Sequence, residues 1–253
     1  MVILEFDLGN SRCKWRLRTD HEVVARGHLL TATHFNELDI PLDLHRLSIK
    51  RVLCVSVVSE AKEREMVAWC ESFLGITPEF ARVAPAFGKV VNGYVEPSTL
   101  GADRWVGIVC AHNRFHNSLI LVSFGTAITV DLILRGGRHL GGFIAPGINL
   151  MLSSLVNGTC RVAIDEFFSV ASLQPGIATS GAVHSAVTAM LMGLVGNGIT
   201  QLQKMEPESK MDIVFTGGDA GKFLSLYPEA QFLPDLTLDG LSYVFNNSKN
   251  TEQ

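Results

Sequence analysis

The chain has 253 residues, 47% of them hydrophobic and 18% charged. That is enough apolar material for one large domain or two small ones with cores of their own, and it excludes disorder and a collagen-like fibre. Lys and Arg number 21 against 25 Asp and Glu, a formal −4, and neither sign gathers into runs, so nucleic acid and membrane surfaces are disfavoured as partners. Leu140 to Asn157 is read as the longest uncharged apolar stretch, but Gly141, Gly142, Pro146, Gly147 and Asn149 interrupt it and make a poor transmembrane helix. Met1 to Phe6 is apolar, but Glu5 and Asp7 follow at once with no basic leader or small-residue cleavage site, so a secretory signal is not expected and a cytoplasmic location is. Five scattered cysteines (Cys13, Cys54, Cys70, Cys110, Cys160) contain no C-x-x-C spacing and read as reduced, mostly buried thiols.

In chain order, Val2 to Leu8 predicts a strand and Cys13 to Arg18 a second, joined through Gly9-Asn10-Ser11, a hairpin signal. His21 to Leu30 can add a third strand, the β-branched run Arg51 to Val58 a buried fourth, and Met66, Val67, Trp69 and Phe73 give Glu60 to Phe73 helical spacing. A Pro- and Gly-rich loop, Pro85 to Pro97, precedes a helix from Leu100 to His116. The second half opens the same way: strands over Ser118 to Phe124, Ala127 to Leu134 and His139 to Ile144, the first turn at Gly125-Thr126. Helices Ile148 to Val156 and Ile177 to Met205 follow, then a strand Met211 to Phe215, a Gly-Gly turn and a terminal helix Leu238 to Asn247. Strand, small-residue turn and strand thus recur, a sign of duplicated architecture. An α/β fold is expected, with an N-terminal lobe over residues 1–116, a C-terminal lobe over 117–253 and a cleft between them.

Three segments carry chemistry. Asp7 stands at the end of a buried strand, before the Gly9-Asn10-Ser11 turn and Lys14 on the returning strand. This suits a nucleotide phosphate: Asp7 to hold Mg²⁺, backbone N–H groups of Gly9 and Asn10 for phosphate oxygens, Lys14 as a point charge. It is equally compatible with an ordinary hairpin. Gly125-Thr126-Ala127 with Thr129 and Asp131 supplies a second such hairpin, with the Thr126 hydroxyl as a donor. Gly217-Gly218-Asp219 lets a flat adenine ring approach the backbone, or simply connects strand to helix. Neither a P-loop nor a G-x-G-x-x-G motif is present. His112 and His116 lie four apart without the surrounding pattern of a zinc site.

The set Asp7-x-Gly9-Asn10-Ser11-x-x-Lys14-Trp15, Asn92-Gly93-Tyr94 with Pro97, Gly101-Ala102-Asp103-Arg104-Trp105, Gly125-Thr126-Ala127-x-Thr129-x-Asp131, Gly141-Gly142-x-Ile144-x-Pro146-Gly147 and Thr216-Gly217-Gly218-Asp219 resembles the type III pantothenate kinases over nearly the whole chain. The resemblance implies two ribonuclease H-like lobes of the acetate and sugar kinase/actin superfamily, ATP in the cleft, and a homodimer with sites at the interface. It implies ATP-dependent phosphorylation of pantothenate, the first step of coenzyme A synthesis. Gly101, Ala102, Asp103, Arg104, Tyr94 and Gly142 are then the pantothenate-binding positions, Asp103 the proton acceptor, and Thr179 a contribution from the neighbouring subunit. Ser11, Lys14, Gly125, Thr126, Gly217 and Gly218 join Asp7, Gly9 and Asn10 as nucleotide-binding positions. Asp103 beside an attacking hydroxyl and Arg104 as a planar fork for a carboxylate agree with that chemistry.

One position departs from the family pattern. Ser123 stands where the family has an Asp that helps bind a monovalent cation, K⁺ or NH₄⁺. A neutral hydroxyl is a poorer anchor for a cation than a carboxylate. The departure gives a foothold to a second reading, a non-catalytic regulatory or binding protein on the same scaffold. Retention of Asp7, Lys14, Asp103, Arg104 and Thr126 favours the kinase.

Overall fold

The computed structural model describes residues 1–38, 49–165, 168–170 and 173–247. The chain divides into two compact units, Met1–Phe87 with Val95–Cys110 and Leu236–Gln253, and Gly88–Tyr94 with Ala111–Asp235. Along the chain run β1 (Val2–Leu8), β2 (Arg12–Arg18), β3 (Val23–Leu30), β4 (Ile49–Ser56), α1 (Glu60–Trp69), β5 (Glu79–Phe80), β6 (Ala86–Phe87), β7 (Val90–Val91) and α2 (Ala102–Arg114). Then come β8 (Ser118–Phe124), β9 (Ala127–Ile133), β10 (His139–Pro146), α3 (Ile148–Gly158), α4 (Thr179–Met205), β11 (Met211–Thr216), β12 (Gln231–Phe232) and α5 (Leu236–Asn247).

The first unit is built on a five-stranded sheet in the order β3-β2-β1-β4-β5. β1, β2 and β3 form an antiparallel meander, and β4 joins the free edge of β1 in parallel. Alternation along β1 sends Leu4, Phe6 and Leu8 to one face, where they pack with Trp15, Leu17, Phe35, Val52, Met66 and Trp69. α1 starts where the Ser59 side chain accepts the Lys62 N–H, with Glu60 and Glu63 in the first turn to favour its dipole. One π turn, Cys70–Leu74, prolongs it, and Gly75 ends it at φ 68°.

The other face of the first sheet departs from the expectation that residues 117–253 form one lobe. Leu238 and Leu241 of α5 are buried with Ile3, Leu53, Val55 and Val106, so the terminal helix belongs to the first unit. Fully buried Glu5 accepts from Arg16 and Arg18, at 2.7 Å each, while Arg16 also reaches Asp239 at 2.5 Å and Arg18 donates to Ser242. Two apolar residues on an amphipathic helix and a buried ion network, not chain order, decide where it docks.

The second unit repeats the first sheet in the order β10-β9-β8-β11-β12, again a meander followed by a parallel strand beside its inner member. Ile120, Val122, Phe124, Ile128, Val130, Leu132, Ile213 and Phe215 face Val187, Leu191, Val195 and Leu202 of α4. An added Cβ at Gly198 would stand 3.3 Å from Leu132 and Val130, so this glycine sets how closely α4 approaches the sheet. α4 also corrects the reading of Leu140 to Asn157 as the longest uncharged apolar stretch: by length and composition it is the helix apolar enough to cross a membrane among the described residues, yet its buried stripe packs on β8 and β9. The expected thiols hold: Cys13, Cys54, Cys70 and Cys110 are buried and Cys160 is exposed, none in a disulfide.

Candidate active site

Asp7 is paired across the hairpin with Lys14, and the intervening turn closes through Gly9 N–H donating to Arg12 O at 3.1 Å. A Cβ at Gly9 would come within 3.0 Å of that same oxygen, which explains glycine at the tightest point of the turn. Asn10 and Ser11 stand exposed at the tip. Burial pushes the Asp7 carboxyl up to about 6; Lys14 pulls it down, and the negative charge of Asp103 pushes it further up. The two carboxylates that the sequence presents in separate motifs are therefore electrostatic neighbours.

Asp103 lies in the first turn of α2, where its Oδ1 accepts the Arg104 N–H at 2.8 Å. Gly101 leaves the room for this arrangement, since a Cβ there would stand 2.7 Å from Asp103 Oδ1. Its carbonyl accepts the Trp105 N–H to open the helix, and Trp105 is fully buried. Ala102 is half-buried and Arg104 is 8% exposed. The first unit thus brings together Asp7 with Lys14, and Asp103 with Gly101 and Arg104.

In the second unit Ser123 takes the strand position that Asp7 takes in the first, two residues before the turn glycine, and pairs across to Thr129 and Thr216. The turn closes through Gly125 N–H to Ala127 O at 3.1 Å, and Thr126 is exposed. Two further glycines crowd this turn. Gly147 donates its N–H to Thr126 O at 2.9 Å, and a Cβ on it would fall 2.4 Å from both Gly125 O and Thr126 O. Gly217 has φ 94° and would place a Cβ 2.4 Å from Phe124 O, so conformation and space both demand glycine. Gly218 is exposed with open space around its Cα, and Asp219 N–H donates to Phe124 O. The Gly125-Thr126 turn and the Gly217-Gly218 motif therefore form one bare backbone surface, with Gly147 as its third member.

Tyr94 is half-buried in a segment of the same unit, and its N–H donates to Asn92 Oδ1 at 3.0 Å. Its ring stacks on His139 at 6.0 Å between centroids and 13° between planes. Gly142 is exposed on β10 opposite Asp131. Thr179 is the exposed first residue of α4, beside Ser180, whose hydroxyl donates to Asp165 at 2.8 Å. No group of three or more His, Cys, Asp or Glu poised for a metal ion occurs among the described residues.

The family model of the type III pantothenate kinases matches residues 3–201. A type III pantothenate kinase from Cellvibrio japonicus is 32% identical over 247 residues, covering 97% of each chain. One from Pseudomonas aeruginosa is 35% identical over 250 residues, covering 95% of this chain and 98% of its own. This chain belongs to the type III pantothenate kinase family. Among solved structures, a Campylobacter jejuni protein described as a Baf family transcriptional activator superposes with a TM-score of 0.63 at 19% identity, covering 98% of this chain and 99% of its own. A Sinorhizobium meliloti protein described as a 2-dehydro-3-deoxygalactonokinase gives 0.58 at 12% identity, covering 99% and 100%. At such identities the likeness concerns the fold alone.

Proposed function

We propose that this chain moves the γ-phosphoryl group of ATP to the primary hydroxyl of pantothenate, giving 4′-phosphopantothenate at the entry to coenzyme A synthesis. The match to the type III pantothenate kinase family over residues 3–201 carries the reading, and the charge of Asp103 felt at Asp7 agrees with an acceptor carboxylate near the phosphate hairpin. Phosphoryl transfer requires positioning and charge stabilisation more than covalent chemistry. Asp103 takes the proton of the attacking hydroxyl. Arg104 pairs with the carboxylate of pantothenate, and Tyr94, Gly101, Ala102 and Gly142 line the acceptor position. Thr179 reaches it from the second copy of a homodimer.

On the nucleotide side, Lys14 and the turn amides of Gly9, Asn10 and Ser11 meet phosphate oxygens, as do Gly125 and Thr126, and the bare backbone at Gly217 and Gly218 receives adenine. Asp7 fits a divalent ion, because a carboxyl held near 6 by burial and a second carboxylate is one that a neighbouring cation returns to the ionised state. Mg²⁺ bound there supplies charge neutralisation for the transferred group. At Ser123 the partners are hydroxyls, Thr129 and Thr216 on the paired strands, so K⁺ or NH₄⁺ is held weakly or through other oxygens. The working protein is cytoplasmic.

ADP release by the purified protein with ATP and Mg²⁺, with and without pantothenate and in K⁺ then Na⁺ buffer, tests the reading. Release that depends on pantothenate supports it; release indifferent to pantothenate, or none, overturns it.

A further inference from the structure

Tyr94 is held from outside its own loop. Val91 N–H donates to Gly137 O at 3.0 Å, and Val91 bridges Arg138 in parallel. Gly93 then lies so close to β10 that a Cβ on it would come to 2.0 Å from His139 O. His139 is itself fully buried. Its Nε2 lies 2.9 Å from Oδ1 of Asp131, also fully buried, and the Gly93 N–H donates to its Nδ1 at 3.4 Å. Because Nδ1 accepts from the backbone it carries no proton, so the proton of the ring sits on Nε2, directed at the carboxylate.

β9 is an interior strand between β8 and β10, and on its opposite face Ile128, Val130 and Leu132 are ordinary core residues. An aliphatic residue at 131 would satisfy the strand, whereas a buried carboxylate costs free energy unless it is hydrogen-bonded. What the carboxylate does here is fix the plane of the His139 ring, and that ring is the surface on which Tyr94 lies.

We infer that Asp131 and His139 are positioning residues for the acceptor site: Asp131 orients His139, which holds Gly93 by hydrogen bond and Tyr94 by stacking. Ordering Tyr94 before the acceptor arrives removes its side-chain entropy from the cost of binding. The inference rests on the proposed role of Tyr94 in binding pantothenate, and its effect is on acceptor affinity.

The test is steady-state kinetics on the full chain carrying Asp131→Asn, His139→Asn, Tyr94→Ala, and Tyr94→Ala combined with Asp131→Asn. Asparagine at 139 offers one carbonyl oxygen near the place of Nδ1 and no stacking ring; it also carries the test if Asp131→Asn does not fold. Each single variant is expected to raise KM for pantothenate about tenfold, with kcat and KM for ATP within about threefold. In the Tyr94→Ala background the Asp131→Asn change is expected to add nothing. An Asp131→Asn variant, or His139→Asn in its stead, that leaves KM for pantothenate unchanged while Tyr94→Ala raises it overturns the inference alone. Equal effects of Asp131→Asn in both backgrounds, or equal effects on ATP, also overturn it. If Tyr94→Ala itself leaves KM for pantothenate unchanged, the assignment of Tyr94 falls and the inference falls with it.

Discussion

The two sheets share strand order and strand polarity, and differ in the charge placed on matching positions. Counting along the innermost antiparallel strand, Glu5 of β1 matches Leu121 of β8, and Asp7 matches Ser123. Their cross-strand partners differ in the same sense: Glu5 faces Arg16 and Asp7 faces Lys14, while Leu121 faces Asp131 and Ser123 faces Thr129. One copy of the frame therefore carries alternating ionic pairs on this face. The other carries hydroxyls and a single carboxylate, which turns to a histidine on the outer strand. A duplicated frame can keep its backbone while the two copies divide the work, charge handling in one and neutral hydrogen-bond donors in the other.

The comparison breaks most sharply at the carboxylate that only the first unit couples to its hairpin. Asp103→Asn is expected to lower kcat at least about 100-fold while nucleotide binding persists, the size typical of losing a general base. Nucleotide titration beside turnover checks it, and full activity would remove Asp103 from the chemistry. Next in size is Glu5→Leu, which copies Leu121 into the first sheet. It leaves Arg16 and Arg18 without their shared buried partner and should cost about 3 kcal/mol in a denaturant titration. An unchanged midpoint would mean that the network is dispensable.

Asp7→Asn works in the opposite direction on stability. A carboxyl raised from 3.8 to about 6 on folding makes the native state bind more protons than the unfolded chain between those values, so stability falls as pH rises from about 4 to about 6. Without nucleotide or metal, the Asn variant should be more stable than the parent by about 3 kcal/mol at pH 7.5, with the gain vanishing toward pH 4. It should also be nearly inactive, because the proposed ion loses its anchor. Thermal melts at both pH values, with an activity assay, separate these effects. Ser123→Asp, the smallest change, should lower the K⁺ or NH₄⁺ concentration needed for activity and cost about 1 kcal/mol at pH 8, where the new carboxylate is ionised and partly buried. No shift in cation dependence would locate the cation elsewhere.

Much of this could be read from the chain. Alternation and turn residues predict β1, β2, β8, β9 and β10 to within a residue or two, because each is a half-buried or buried strand bounded by glycine or polar turns. The helix expected over Glu60 to Phe73 is present, with its last turn wound as π. The two glycine-turn hairpins and the Gly101 to Arg104 segment stood out because their residue types repeat a family pattern at fixed spacing. What escaped depends on register and tertiary docking. Asp131 and His139 are eight apart, and only the β9–β10 pairing brings their side chains together. Glu5 reads as an oddity in an apolar strand until Arg16, Arg18 and Asp239 are seen around it. Gly147 and Gly217 show their purpose only once the Gly125-Thr126 turn is packed between them.

The ion pair between Arg16 and Asp239 joins residues 223 positions apart. During translation at about 5–20 residues per second, the β1–β2 hairpin emerges on the order of ten to forty seconds before α5 exists. For that interval Ile3, Leu53 and Val55 lack the helix that covers them, while the second unit, encoded almost entirely by Ala111–Asp235, can close around its core as soon as it leaves the ribosome. The first unit in sequence is therefore the last to finish. A chain that stops short of Leu236 should leave a folded second half attached to an incomplete first one.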